Sequence, residues 1–189
     1  MELKIKVHVN WKNFDKSGRL ISETEHEANS LVKAFINHLV YGFNTLVNQQ
    51  TADTSGTNRT LNSLSSGFSV MATATTSTYG ILLGTSNQAV SLNDNALITP
   101  IIHGIVAGTL QYGATTMDAA PTTDGSSRYI QIYRTFTNSS GGNITVNEVG
   151  LVIQSQSSNY KFLFDRSLST NTINNGNAAT LTYKITLTV

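Results

Sequence analysis

Leu181-Thr182-Tyr183-Lys184-Ile185-Thr186-Leu187-Thr188-Val189 places five apolar side chains in strict alternation with Thr and Lys. This period of two marks a strand with one face in a core and the other in water. Residues two apart fall on opposite sides of a helix, so a helical reading would scatter the same five side chains. Tyr160, Phe162 and Phe164 alternate in the same way. In Ile144-Thr145-Val146-Asn147-Glu148-Val149-Gly150-Leu151-Val152-Ile153 the phase changes: Ile144 and Val146 share one face, and Val149, Leu151 and Ile153 share the other. One extra residue near Asn147-Glu148, a β-bulge, reconciles the two halves. Tyr129 to Asn138 reads as a strand with Ile130, Ile132 and Phe136 on one face, which Arg134 shares. Ser139-Ser140-Gly141-Gly142 then reads as a hairpin turn into the next strand.

Upstream the signals are shorter. Phe68, Val70 and Ala72 form one alternating run, and Tyr79, Ile81 and Leu83 form another that ends at Gly84-Thr85-Ser86-Asn87. Leu92 to Ile98 reads as a short helical turn before Pro100, Ile105 to Tyr112 as a strand, and Gly113 to Ser127 as a long loop. At the amino-terminal end Leu3, Ile5, Val7, Val9 and Trp11 alternate with Lys4, Lys6, His8 and Asn10. Asp15-Lys16-Ser17-Gly18 is a turn signal, and Arg19 to Glu25 returns as the second strand of a hairpin. The period then becomes helical through Leu31, Val32, Phe35, Leu39 and Phe43, which predicts an amphipathic helix from about Asn29 to Leu46. Its start is either a Thr24–Glu27 capping box or an Asn29 cap. The polar stretch to Ser66, with Ser55-Gly56-Thr57-Asn58, reads as a loop or linker. The expected organisation is a hairpin plus helix at 1–48, a linker at 49–66 and a β-sandwich at 67–189. The fold class is mainly β, an antiparallel sandwich, jelly-roll-like or Ig-like, with one helix.

Composition narrows the function classes. Of the 189 residues only 12% are charged and 39% hydrophobic, and Thr, Ser and Asn supply about a third. Thr favours strands, and Asn and Ser favour turns. The net charge is +1 with no basic stripe, which argues against direct nucleic-acid binding. With no Cys, disulfides and thiolate metal sites are excluded. The alternating start is not a signal peptide, and no apolar run reaches the length of a membrane span, so the expectation is a soluble protein made in a cytoplasm.

No catalytic, cofactor or metal site is expected. His8, His26, His38 and His103 are scattered without metal-ligand spacing, and there is no nucleophile elbow, phosphate loop or dinucleotide fingerprint. Asn93-Asp94-Asn95 lacks the spaced acids of a calcium loop and reads as a turn. Three glycosylation-type triplets, at Asn58, Asn138 and Asn143, read as chance in so Asn- and Thr-rich a chain. Glu148 and the Asp165-Arg166 pair lie within apolar strands, where an unpaired charge is strongly disfavoured. Glu148 and Arg166 are therefore expected to form a structural pair, with Arg134 as the second candidate partner for Glu148 across the hairpin.

Four stretches stand out, in order, along the chain. The first is the Lys4–Trp11 strand with Asp15-Lys16-Ser17-Gly18 and Glu27-Ala28-Asn29-Ser30-Leu31-Val32. The second is Tyr79-Gly80-Ile81-Leu82-Leu83-Gly84-Thr85-Ser86 followed by Asn93-Asp94-Asn95-Ala96-Leu97. The third runs from Arg134-Thr135-Phe136-Thr137-Asn138 through Thr145-Val146-Asn147-Glu148-Val149-Gly150-Leu151. The fourth is Phe164-Asp165-Arg166 with the closing strand. Together the four resemble tailed-bacteriophage virion structural proteins; Ser86 departs from their pattern, which has a second Gly there, and the 113–127 segment is longer. The resemblance implies a non-enzymatic component of a tail, baseplate or head that packs against copies of itself and other virion proteins and needs no cofactor. The alternative is a carbohydrate-binding module of a fibre or spike, which would stack a host-surface glycan on Trp11, Tyr79, Tyr112 or Tyr160.

Overall fold

The computed structural model describes residues 4–28, 31–43, 50–61, 67–156 and 159–188. Along them run β1 (Lys4–Phe14), β2 (Leu20–Ala28), α1 (Lys33–Phe43), β3 (Gln50–Ala52), β4 (Asn58–Thr60), β5 (Phe68–Ser69) and β6 (Gly80–Gly84). The carboxy-terminal half adds β7 (Gln111–Met117), β8 (Thr122–Asp124), β9 (Ser127–Thr137), β10 (Ile144–Ser155), β11 (Lys161–Ile173) and β12 (Ala178–Thr188).

The chain is mainly β and antiparallel, with a single helix among the described residues. The first sheet has the order β2-β1-β12-β9-β7, with β8 also on β9; the second has β11-β10-β5, with β6 also on β10. Strand β12 pairs eleven residues with β1 on one side and eleven with β9 on the other. Its in-phase Ala179, Leu181 and Tyr183 are fully buried beside Val9, Trp11 and Phe136. Polar bonds tie the two sheets face to face. The Trp11 indole N–H donates to Ser169 Oγ at 2.7 Å, and the Asn13 and Asn171 side-chain amides bond each other.

Since β1 lies beside β12, the hairpin at 1–48 is part of the first sheet, and the division from 67–189 does not hold. Within 49–66, β3 and β4 pair as a small hairpin rather than a linker; residues 62–66 lie outside the described ones. Its turn at Asp53 repeats the turn at Asp15. In each, the Asp Oδ1 accepts the backbone N–H and hydroxyl of the Ser two residues on, and a Gly follows at positive φ. The shared Asp-x-Ser-Gly was the signal for it.

Other expectations also change. The segment 113–127 holds the end of β7 and all of β8; Thr115, Thr116, Thr122 and Thr123 make strand without the apolar alternation that announces one. Strand β7 starts at Gln111 rather than Ile105, and Leu92 to Ile98 forms turns and bends rather than helix. Thr24 and Glu27 belong to β2 and cap nothing; the first described turn of α1 is anchored by Val32 N–H on Phe164 O and Lys33 N–H on Leu92 O. Asn29 and residues 44–49 lie outside the described residues.

Residues 139–142 are not a hairpin turn, because β9 and β10 belong to different sheets. This link and the one from β11 to β12 cross between the sheets side by side, with fully buried Asn138 between them. Its Nδ2 donates to Gly142 O at 2.8 Å and Ile173 O at 2.7 Å, and its Oδ1 accepts Ser140 N–H and Oγ. Its backbone bonds Asn177 and Gly176. Replacing Asn138 with Ala leaves the buried Ile173 carbonyl unpartnered, and urea denaturation should show a loss of about 2–3 kcal/mol.

Candidate functional site, a buried ion cluster under a covering loop

The register of β10 on β11 shifts between Val146 and Glu148, where a bulge was expected, but β10 advances two residues there and β11 three, from Asn171 to Leu168, so the extra residue lies on β11 and not at Asn147-Glu148. Before it Ile144 and Val146 point into the sandwich; after it Val149 and Leu151 do. The shift turns Glu148 to the outer face of the second sheet, where Arg166 also points. Glu148 and Arg166 are both 0% exposed, and Arg166 Nε donates to Glu148 Oε2 at 2.7 Å. The two therefore meet as a buried pair.

The pair holds the loop between β6 and Pro100. Arg166 Nη1 donates to Asp94 Oδ2 at 2.8 Å, and Nη2 to Gln88 O at 2.9 Å. Glu148 Oε1 accepts Thr99 N–H at 2.8 Å, and Oε2 accepts Ile98 N–H at 3.2 Å. The acid thus fastens one end of the loop and the guanidinium the other. Two glycines make room. A Cβ on Gly84 would collide with the Glu148 carboxylate, and one on Gly150 would come within 2.8 Å of Leu97 Cδ2. Burial draws the Arg166 guanidinium down, but the bonds to Glu148 and Asp94 outweigh it and hold Arg166 above its ordinary range. Asp94 is the member that sequence reading missed; its signal was the Asp94-x-x-Leu97 spacing, which brings the acid to Arg166 and the Leu onto Gly150.

Arg134 is not a partner of Glu148, because β9 lies in the first sheet. Its five N–H donors go to five carbonyls: Gly113, Tyr79, Ile81, Thr73 and Thr76. Its guanidinium carbon stands 4.7 Å from the centre of the Tyr112 ring. Burial lowers Arg134 to about 10, against the opposing pull of Tyr112 and Tyr79. The residue fastens the 73–81 segment to β9 as Arg166 fastens the 88–94 segment to β11.

Asp165 faces the opposite way from its neighbour Arg166. It is buried between the sheets, where Tyr183 OH donates to Oδ2 at 3.1 Å and Ser167 Oγ at 2.8 Å. Burial and the adjacent carboxylate push the Tyr183 phenol well above its ordinary value.

A second buried group sits under α1. The His38 ring is edge-on to Phe68, Phe162 and Phe164, with centroids 4.7, 4.7 and 5.0 Å away. Its Nδ1 lies 2.7 Å from Ala34 O, while its buried Nε2 has no hydrogen-bond partner among the described residues. Burial lowers His38 to about 4, with the Ala34 carbonyl opposing.

Of the aromatics named as glycan platforms, Trp11 and Tyr112 are in the core. Tyr160 lies beneath the Arg59 guanidinium at 4.1 Å, and Tyr79 is half-buried. Among the described residues no group of three His, Cys, Asp or Glu side chains could hold a metal ion, and no helix is long and apolar enough to cross a membrane. Comparison of the chain with protein-family models, curated proteins and solved structures found no match.

Arg166→Met should cost about 3–5 kcal/mol in urea denaturation, because it strands a buried carboxylate. Glu148→Gln in the same chain should recover at least half of that loss. For His38, the folded value lies below the unfolded 6.5, so the unfolded state takes up the proton first. Stability is therefore constant above pH 6.5 and falls as pH drops towards 4, by about 3 kcal/mol in all. Thermal denaturation across that window should show the fall, and His38→Leu should remove its share, leaving that of His26, which burial also lowers.

Proposed function

We propose that the chain is a structural subunit of a tailed-bacteriophage particle, acting in a tail, baseplate or head-accessory position by packing against copies of itself and other virion proteins. The observation that carries this reading is convergence. Asp94 and Leu97 come from the second resembling stretch, Glu148 and Gly150 from the third and Arg166 from the fourth, and all five meet in one buried cluster. Each of the five has a structural task there: an ion pair, a glycine contact or a loop anchor. An uncharged polar surface further suits broad subunit contacts, which form without desolvating many charges.

In this reading the protein has no cofactor and performs no turnover, and it neither touches nucleic acid nor enters a membrane. The carbohydrate-binding alternative has less support, since two of its four aromatic platforms are core residues. Mass spectrometry of purified particles tests the proposal: the chain should be found in them in multiple copies, and the isolated protein should give no signal on a glycan array. Absence from particles, or saturable binding to one glycan class, would refute it.

A further inference from the structure

The link from β11 to β12 carries the one Asn-Gly dipeptide of the sequence, Asn175-Gly176. Asn177 N–H closes a turn on Asn174 O, with Gly176 at φ +82° and Asn175 outside the positive-φ region. That combination is a type II turn, whose third residue must be free to take φ > 0. Space makes the same demand, because a Cβ on Gly176 would collide with the Lys16 side chain. The fold therefore sets a glycine directly after Asn175, which is exposed to water.

That order is chemically labile. Glycine has no Cβ to shield its nitrogen, so the Gly176 nitrogen can reach the side chain before it. It gives its proton to base and bonds Asn175 Cγ; the Cγ–Nδ2 bond breaks, Nδ2 takes up a proton and leaves as ammonia, and a succinimide ring remains. Water then opens the ring. Cleavage at Cγ gives Asp, and cleavage at the backbone carbonyl carbon gives isoaspartate, in which the chain runs through Cβ and Cγ. The balance is amide plus water to acid plus ammonia, with nothing oxidised or reduced.

In the closed crossover each reacting group is engaged. Gly176 N–H donates to Asn138 O at 2.7 Å, and Asn175 Oδ1 accepts Gly141 N–H at 3.0 Å. Asn175 N–H donates to Asn143 Oδ1 at 3.0 Å. The turn adds a geometric bar, since ψ at its second residue is about +120° and swings the Gly176 nitrogen away from the Asn175 side chain. Buried Asn138 ties Gly142 O to Ile173 O, so the two links are held as one unit.

We infer that Asn175 is a self-modification site, inert while the paired crossover is closed and released to deamidation when it opens. Two or three hydrogen bonds must break together before the nitrogen can turn, so closure slows the reaction about a hundredfold relative to the unfolded chain. The step is one-way. Isoaspartate lengthens the backbone between Asn175 and Gly176, so Gly176 N–H and Asn177 O can no longer both meet the Asn138 backbone, as they do in the unmodified chain.

Folded and guanidinium-unfolded wild type, held in mildly alkaline buffer, test this by peptide mapping. Mass spectrometry reads the gain from amide to acid, and isoaspartyl methyltransferase labelling reads the isomer. In the unfolded chain Asn175 should convert before every other Asn, and in the folded chain about a hundredfold more slowly. Equal rates in the two states, or an earlier conversion elsewhere in the unfolded chain, overturn the inference. Asn138→Ala keeps its backbone carbonyl and loses the side-chain bonds to both links; while folded by circular dichroism it should convert at Asn175 at least tenfold faster than wild type. Tyr183→Phe, which loses a buried bond in the core, should not; equal acceleration would assign the rate to global unfolding and overturn the inference. Should Asn138→Ala fail to fold, Asn143→Ala removes only the exposed acceptor of Asn175 N–H and should give about a fivefold acceleration, and no acceleration overturns the inference. Asn175→Asp keeps the acceptor for Gly141 N–H and should match the wild-type urea midpoint, whereas the isoaspartate form isolated by ion exchange should unfold at lower urea. Equal midpoints for the isoaspartate form and wild type would overturn the one-way step.

Discussion

A strand with an unbroken period of two could not serve both halves of β10. Ile144 and Val146 are needed in the sandwich at one end, and Val149 and Leu151 at the other. The register shift between Val146 and Glu148 resolves this and turns Glu148 to the outer face, where a charge has to be met. Arg166 meets it from β11, and the remaining donors and acceptors of the pair reach the covering loop, at its backbone and at the Asp94 carboxylate. Leaving out either ion would strand the other in a water-free site. Loop, bulge and second sheet are thus constrained together, with Gly84 and Gly150 kept small so that the loop can lie flat.

The same economy recurs elsewhere. Arg134 gives its five donors to backbone carbonyls of Gly113 and of the 73–81 segment, so a segment with little regular structure becomes part of the fold. Asn138 does this with one side chain for two crossovers. Between the sheets, Tyr183–Asp165 and Trp11–Ser169 add directional bonds to a core that is otherwise apolar and tolerant of sliding. Paired polar groups of this kind disfavour alternative registers, since any shift leaves them unsatisfied.

The outer surface follows different rules. On the exposed face of the first sheet Lys6 pairs with Glu27, His8 with Glu25 and Lys12 with Glu23 across β1 and β2. Exposed pairs add little stability, but acids in a row along β2 discourage two copies from joining edge to edge through that strand.

Period and phase were enough to place β1, β9, β10 and β12, the first residues of β11 and the phase change within β10, because alternation is a local property that burial of one face imposes on any strand. The Glu148–Arg166 pair was legible for a related reason: a charge inside an apolar strand requires a partner wherever the strand lies. Strands β7 and β8 stayed hidden, since Thr forms strand without alternating with apolar residues. The assignment of β9 and β10 to different sheets, the insertion of β12 between β1 and β9, and the delivery of Asp94 to Arg166 depend on contacts between residues distant in sequence. Pairing two strands is decided by complementary faces, which local periodicity does not encode. Only the tertiary structure could show that Arg134 faces carbonyls and not Glu148, and that Trp11 and Tyr112 are core.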